Sequence, residues 1–304
     1  MITLYCSEKL DGIAAAAIIK RHAQLNNLPT RFGGFLHPEN ITDELEEIAK
    51  EEQQLIFILD SSIAPEHLTI IDRILARNKI VYWNTHDAKS VVPPAKIFDK
   101  AIDKNCAAEL AQQRFLPKDL IAKQLAQLAH DIEFWQLGDE RAIKLTDLIT
   151  AQYSPLELIE ALSKGIFWND QFETVHKQYL EKKNAALEEL LRTLVIKTYL
   201  NHRFGYVLAA NVLTTADACQ RVLDGHAGVD VSIALYRNGK IAFRKRDTCN
   251  LDVSELAHLF NGGGNQFAAG AKLNTTITKE NNEEVIFQLD TTFKNYFIEA
   301  TTFK

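Results

Sequence analysis

The chain has 304 residues, 46% of them hydrophobic and 24% charged, with a formal net charge of −6. That length supports one large domain or two ordinary ones, and the apolar content excludes wholesale disorder. The acidic balance excludes a dedicated duplex-DNA binder with a strong basic face but leaves room for a local basic groove.

The amino terminus, Met1-Ile2-Thr3-Leu4-Tyr5, opens a strand over 2–6 and lacks the basic region of a secretory leader, so a cytoplasmic location is expected. A helix follows over 11–22, with an alanine run at 14–17 suited to close packing. Residues 55–59 read as a continuous apolar strand ending at Asp60, followed by a helix over 65–77. A strand over 79–83 then ends in Asn84-Thr85-His86-Asp87. Apolar strands alternating with helices predict an α/β fold with a mostly parallel sheet covered on both faces. Such sheets bind ligands beyond the carboxyl ends of their strands, where Cys6-Ser7, Asp60-Ser61 and Asn84-Thr85-His86 all fall.

From 105 to about 165 the pattern is helical, and the charged stretch 170–194 reads as a long connecting helix. The expected division is a first domain over 1–165, a linker helix over 166–194 and a smaller α+β domain over 195–304. In the last part, strands are expected over 195–199 and 206–210 and a helix over 214–223. Strands over 229–236 and 240–246 flank Arg237-Asn238-Gly239, a hairpin signal. A helix over 252–260, a strand over 267–273 and a final helix over 282–297 complete the reading. No apolar run reaches the roughly 18 residues that cross a bilayer, so no membrane partner is expected. Cys6, Cys106, Cys219 and Cys249 have neither zinc-ligand nor redox spacing and are expected to be buried hydrophobes. Trp83, Trp135 and Trp168 are expected in the core.

The most informative stretch is Asn261-Gly262-Gly263-Gly264-Asn265-Gln266-Phe267-Ala268-Ala269-Gly270. Its three glycines permit close approach of a ligand or a neighbouring strand. Just upstream lies the basic run Arg244-Lys245-Arg246. Strand alternation puts Lys240, Arg244 and Arg246 on one face. A guanidinium fork beside backbone N–H groups is a suitable phosphate cradle. The plainer reading is a solvated hairpin edge guarded by its charges.

The ordered set Ser7-Glu8-Lys9-Leu10-Asp11-Gly12, Asp60, Asn84-Thr85-His86 and the glycine loop resembles the DHH phosphoesterase family, which includes RecJ-type exonucleases and nano-RNases. The resemblance covers nearly the whole chain, and its last part is similar to the DHH-associated substrate-binding domain. It implies two manganese ions about 3.5–4 Å apart, held by carboxylates and histidines at the strand ends. The first family motif, His-x-Asp-x-Asp-Gly, keeps Asp11 but has Ser7 for its histidine and Lys9 for a carboxylate. The second motif's aspartate matches Asp60, and Asp-His-His becomes Asn84-Thr85-His86, with Thr85 for a metal-binding histidine. A later aspartate matches Asp131.

The surviving ligands would be Asp11, Asp60 and Asp131, and Ser7, Lys9 and Thr85 mark where the metal site has been replaced. An ammonium has no lone pair to give a metal. Two like unit charges 4 Å apart repel by about 4 kcal/mol at an effective dielectric near 20. Lys9 is therefore expected to sit with Asp60 or Asp11 as an internal cation. Taken singly, Asp11 reads as a cap of its own helix, and Asp60-Ser61-Ser62 as a cap of the next. In the second domain, Asn265 takes the place of the family's histidine after the glycines, and Arg246 would hold the phosphate-contacting position. The substrate-binding set implied is Arg244, Arg246, Gly262, Gly263, Gly264 and Asn265.

Three functions follow. The first is a catalytically degenerate protein, a pseudoenzyme that binds single-stranded nucleic acid or a nucleotide as an accessory or scaffold in DNA replication or repair, with a replication or repair protein as a further partner. The second is an active single-strand exonuclease or oligonucleotide phosphodiesterase. It would use one manganese or magnesium ion on Asp11, Asp60 and Asp131, with His86 and Asp60 as catalytic residues and His86 contacting the scissile phosphate. The third is a nucleotide sensor. The expected cofactor is none or a single such metal ion.

Overall fold

The computed structural model describes residues 1–38, 40–78, 80–85, 97–100 and 105–302. The chain divides into two compact units, Met1–Lys177 and Gln178–Lys304.

The first unit is an α/β sandwich around a five-stranded sheet. Its strands are β1 (Ile2–Cys6), β2 (Thr30–Phe35), β3 (Leu55–Leu59), β4 (Ile80–Thr85) and β5 (Ile97–Lys100). They lie in the order β2-β1-β3-β4-β5 with every pairing parallel. Parallel neighbours need crossovers, and α1 (Leu10–Leu25), α2 (Ile41–Ile48) and α3 (Leu68–Arg77) supply those between the first four strands.

Alternation along the strands sorts the two faces. Ile2, Leu4, Cys6, Phe57, Leu59 and Tyr82 join one cluster, and Tyr5, Ile56, Ile58 and Trp83 join another with residues of α2 and α3. On the first face α1 is buried over nearly its whole amino-terminal half, and its Ala14–Ala17 run has at most 1% exposure. Small side chains there let α4 (Ala107–Phe115), α5 (Leu120–Glu133) and α7 (Pro155–Ser163) pack closely against it. Between α5 and α7 runs α6 (Glu140–Thr150), and after them α8 (Asp170–Arg192) crosses the division between the units.

The second unit is a mixed six-stranded sheet. Its strands are β6 (Val195–Tyr199), β7 (His202–Ala209), β8 (Val231–Tyr236), β9 (Lys240–Lys245), β10 (Gly263–Gly264) and β11 (Ala268–Lys272), in the order β10-β11-β9-β8-β7-β6. The β7–β8 pair is parallel and the other pairings antiparallel. The parallel crossover is α9 (Thr215–Gly225), which packs on one face with Leu190 of α8. The helices α10 (Val253–His258) and α11 (Asn282–Thr302) cover the other. All four cysteines are buried. Among the described residues no helix is long and apolar enough to cross a membrane.

Candidate functional site

The carboxyl ends of β1, β3 and β4 meet in a polar network. The chain leaves β1 at Ser7, whose amide still reaches the Leu59 carbonyl at 3.1 Å. The Ser7 hydroxyl donates to Asp60 Oδ2. Asp60 is 8% exposed and takes a left-handed conformation, φ 54°, which Asp tolerates better than most residues. Its amide donates to Asn84 Oδ1 at 2.9 Å. Asn84 is fully buried and its Nδ2 donates to the Ala107 carbonyl at 2.9 Å and to the Tyr82 hydroxyl at 3.3 Å. Thr85 is buried beside it at the end of β4. The Cys6 thiol is pushed well up in pKa by burial and by the charges of Asp60 and Glu8, which keeps it protonated.

Asp11 completes the network in a way its position in α1 does not suggest. It does not cap its own helix. Both carboxylate oxygens are taken by another one: Oδ2 accepts from the Ala107 amide at 2.8 Å and Oδ1 from the Ala108 amide at 2.7 Å. These are the first two amides of α4, which no turn of that helix can satisfy. A buried carboxylate there also meets the positive end of the helix dipole. Gly12 lets α1 start against β1, because a Cβ on it would stand 2.5 Å from Ser7 Oγ and 2.6 Å from Ser7 O.

Asp131 stands outside that hydrogen-bond network, in the last turn of α5, and its carboxylate accepts from the amides of Gly138 at 2.9 Å and Asp139 at 3.2 Å. Lys9 is the N-cap residue of α1, with a side chain 61% exposed. Its direct ion pair is with Glu133, at 3.8 Å, rather than with Asp60 or Asp11. Partial burial lowers its pKa, but Glu133, Asp60 and Asp11 raise it further, so the ammonium is held more firmly charged than usual. Lys9 thus serves the strand-end carboxylates through the longer-range field and Glu133 by contact.

The three carboxylates that the resemblance assigns to metal are each engaged by the protein itself. Asp11 and Asp131 accept backbone N–H bonds through both oxygens, and Asp60 is engaged by Ser7. Among the described residues no group of three or more His, Cys, Asp and Glu side chains is arranged to hold a metal ion. His86 lies outside the described residues.

In the second unit the expected substrate residues separate. Strand β9 ends at Lys245, so the alternation that groups Lys240 with Arg244 does not extend to Arg246. The Arg246 guanidinium caps the carboxyl end of α9: Nη2 donates to the carbonyls of Leu223 and, at 3.0 Å, His226, and Nε donates to Val229 O at 2.7 Å. Arg246 is therefore a structural arginine in place of the expected phosphate contact, because orphan carbonyls at a helix end are strong acceptors for a planar donor fork. Lys245 turns to the other face and donates to Cys249 O at 2.8 Å, with Nζ 4.8 Å from the Phe267 ring centroid. Arg244 lines a small cavity of about 70 Å³ with Thr215, Ala216, Ala268 and Ala269, beside the amino terminus of α9.

The glycine loop forms the β10–β11 turn. A Cβ on Gly262 would stand 2.2 Å from the Gly270 carbonyl, and one on Gly264, at φ 151°, 2.5 Å from that of Ala268. Packing alone therefore demands those two glycines. Gly263 has only His258 Nε2 within reach, at 3.9 Å. Asn265 Oδ1 accepts from the amides of Phe267 at 2.9 Å and Ala268 at 3.0 Å, so its carboxamide holds the turn.

Sequence reasoning missed the bridging role of Asn84, whose only signal is a buried amide closing an apolar strand. It also placed Trp135 in the core. Trp83 is fully buried, but Trp135 is 54% exposed. A buried pair, His176 Nε2 and Asp147 Oδ2 at 3.1 Å between α8 and α6, went unnoticed as well.

No family model and no curated protein matches the sequence. Solved structures do match its fold. RecJ of Thermus thermophilus in complex with Mn2+ superposes with a TM-score of 0.65 at 14% identity, covering 98% of this chain, which spans 52% of that one. The DHH domain of a member of the s1p family of ribosomal proteins gives 0.62 at 14% identity, with 96% and 86% covered. PggH of Vibrio cholerae, a pGpG-specific phosphodiesterase, gives 0.55 at 15% identity, with 97% and 99% covered. The architecture is the DHH-type α/β fold.

Proposed function

We propose that this chain, built on the DHH-type fold, binds single-stranded nucleic acid or a nucleotide without hydrolysing it, as an accessory or scaffold in DNA replication or repair. The observation that carries the loss of hydrolysis is Asp11, whose two oxygens are taken by the amides of Ala107 and Ala108. A metal that drew that carboxylate away from Ala107 and Ala108 would strand two buried N–H groups, each costing about 1–3 kcal/mol. Lys9 adds positive charge where a second divalent ion would need negative charge.

Retained binding is supported by Arg244. Its side chain lines the cavity beside Thr215 and Ala216, the first residues of α9, so a guanidinium and a helix amino terminus converge on one space. Both favour an oxyanion such as a phosphate. The relation in fold to a pGpG-specific phosphodiesterase supports a nucleotide as the ligand class.

The test incubates the full chain with manganese and a labelled single-stranded oligonucleotide, and separately with pGpG, beside Asp60→Ala. No product is expected from either protein. Manganese-dependent cleavage that Asp60→Ala abolishes would overturn the proposal. Fluorescence anisotropy of the same oligonucleotide should show binding that Arg244→Ala weakens.

A further inference from the structure

The turn between α5 and α6 combines two features that a fold does not ordinarily keep together. Trp135 and Leu137 both take left-handed backbone conformations, φ 55° and 52°, which bulky side chains resist. Both are also turned outward, 54% and 39% exposed. Backbone strain of this kind persists only where the surroundings over-determine it.

Asp131 supplies a large part of that determination. Asp131 accepts from every amide of the segment that follows Trp135: its carbonyl takes Gln136 N at 2.9 Å and Leu137 N at 3.3 Å, and its carboxylate takes Gly138 N at 2.9 Å and Asp139 N at 3.2 Å. The carboxylate that the family resemblance assigns to a metal instead clamps a turn that holds an indole in solvent. His130 and Phe134, with ring centroids 4.5 Å apart, stiffen the base of the turn.

The turn is tied towards the strand-end site by Glu133, two residues before Trp135, which pairs with Lys9, the N-cap residue of α1. Of the acidic side chains around the turn, Asp139 is paired with Arg141 and Glu140 with Lys144. Single-strand binders use such a combination, an exposed aromatic ring as a stacking surface for a base and a cation for its backbone.

We propose that Trp135 is a stacking platform for a nucleobase at the strand-end site, with Lys9 taking the adjoining phosphate. This rests on the reading of the chain as a nucleic-acid or nucleotide binder and adds a contact surface in the first unit, separate from Arg244 in the second.

The test is fluorescence anisotropy of the full chain with a labelled oligo-dT of about ten nucleotides, within the usual site size. Trp135→Ala is expected to weaken binding about tenfold, and Trp135→Phe, which keeps an aromatic face, to stay within about twofold. Lys9→Gln should lower the slope of log affinity against log salt by about 0.7, one phosphate contact on a single strand. Binding should quench tryptophan emission in the wild type and not in Trp135→Phe. Competition with dTMP distinguishes a free nucleotide from a strand as the source of the base, and Trp135 dependence of either supports the platform. Unchanged affinity and unchanged quench in the Trp135 variants, with binding still lost in Arg244→Ala, would overturn the platform and leave the binding function standing. Absence of binding by the wild type would overturn both.

Discussion

The carboxylate of Asp11, at the start of α1, receives the amide of Ala107, 96 residues later at the start of α4, at 2.8 Å. The Ala108 amide reaches its other oxygen, so one side chain pins the amino termini of two helices that pack on each other and on the sheet.

Asp11→Ala should therefore destabilise the first unit by about 3 kcal/mol, the cost of stranding two buried amides and a charge-assisted pair. Asp11→Asn keeps one acceptor and should cost about half as much. Urea denaturation monitored in the first unit reads this, and a midpoint unmoved by Asp11→Ala would remove the capping role.

Manganese should not stabilise the protein. A ligand that binds only the native state raises the melting temperature by mass action. With Asp11 and Asp131 each held by two amides and Asp60 by Ser7, the chain should melt at the same temperature with and without millimolar manganese. A rise that Asp60→Ala removes would show a metal site.

Arg244 and Arg246, two residues apart, should fail differently. Arg246→Ala strips the cap from the carboxyl end of α9 and should destabilise the second unit by about 2 kcal/mol. Arg244→Ala should chiefly weaken oligonucleotide binding. A thermal melt beside a binding isotherm for each variant separates the two effects, and a reversed pattern would exchange their roles.

Two neighbouring glycines should also differ. Gly262→Ala drives a methyl to 2.2 Å from the Gly270 carbonyl and should lower the melting temperature, at a cost of about 1–3 kcal/mol. Gly263→Ala meets nothing nearer than 3.9 Å and should leave stability nearly unchanged. Equal melting temperatures for the two variants would contradict the packing argument.

His37 gives a pH signature. Its hydrogen bond to Glu44 raises the imidazole pKa above 6.5, partial burial opposes this, and Glu8 at 3.4 Å adds to the rise. A raised folded pKa contributes stability that is fully present below about 6.5, the unfolded value, and is lost as pH rises through the folded value. Solvent screens the half-buried pair, so the effect is small. The stability gap between wild type and His37→Gln should be wider near pH 6 than near pH 8.5, as read by denaturation at about those two values. A gap independent of pH would count against the pair.

Much of the fold is legible in local pattern. The strands at 2–6, 55–59 and 195–199 and the hairpin around Arg237-Asn238-Gly239 are continuous apolar or turn signals, and they form where that pattern places them. Strand β2 escapes a sequence reading because Thr-Arg-Phe-Gly-Gly-Phe carries two glycines, which weaken any strand signal. Gly33 is there because the Tyr5 ring lies against it, and a Cβ would stand 2.4 Å from the ring. The hydrophobicity of Trp135 points to the core, and a left-handed turn carries it outward.

The sequence by itself determined an α/β sheet covered on both faces, followed by strands and helices of a smaller α+β part, because apolar periodicity is a property of neighbouring residues. Its resemblance to the DHH family also implied that Lys9, Ser7 and Thr85 stand where metal ligands would be expected. What became of the surviving carboxylates was decided only in three dimensions. Ser7 finds Asp60 across 53 residues, and Asp11 finds the α4 amides across 96 and 97. Backbone N–H groups are the same at every position, so no residue pattern announces which of them a distant carboxylate will cap; the packing of the helices makes that choice.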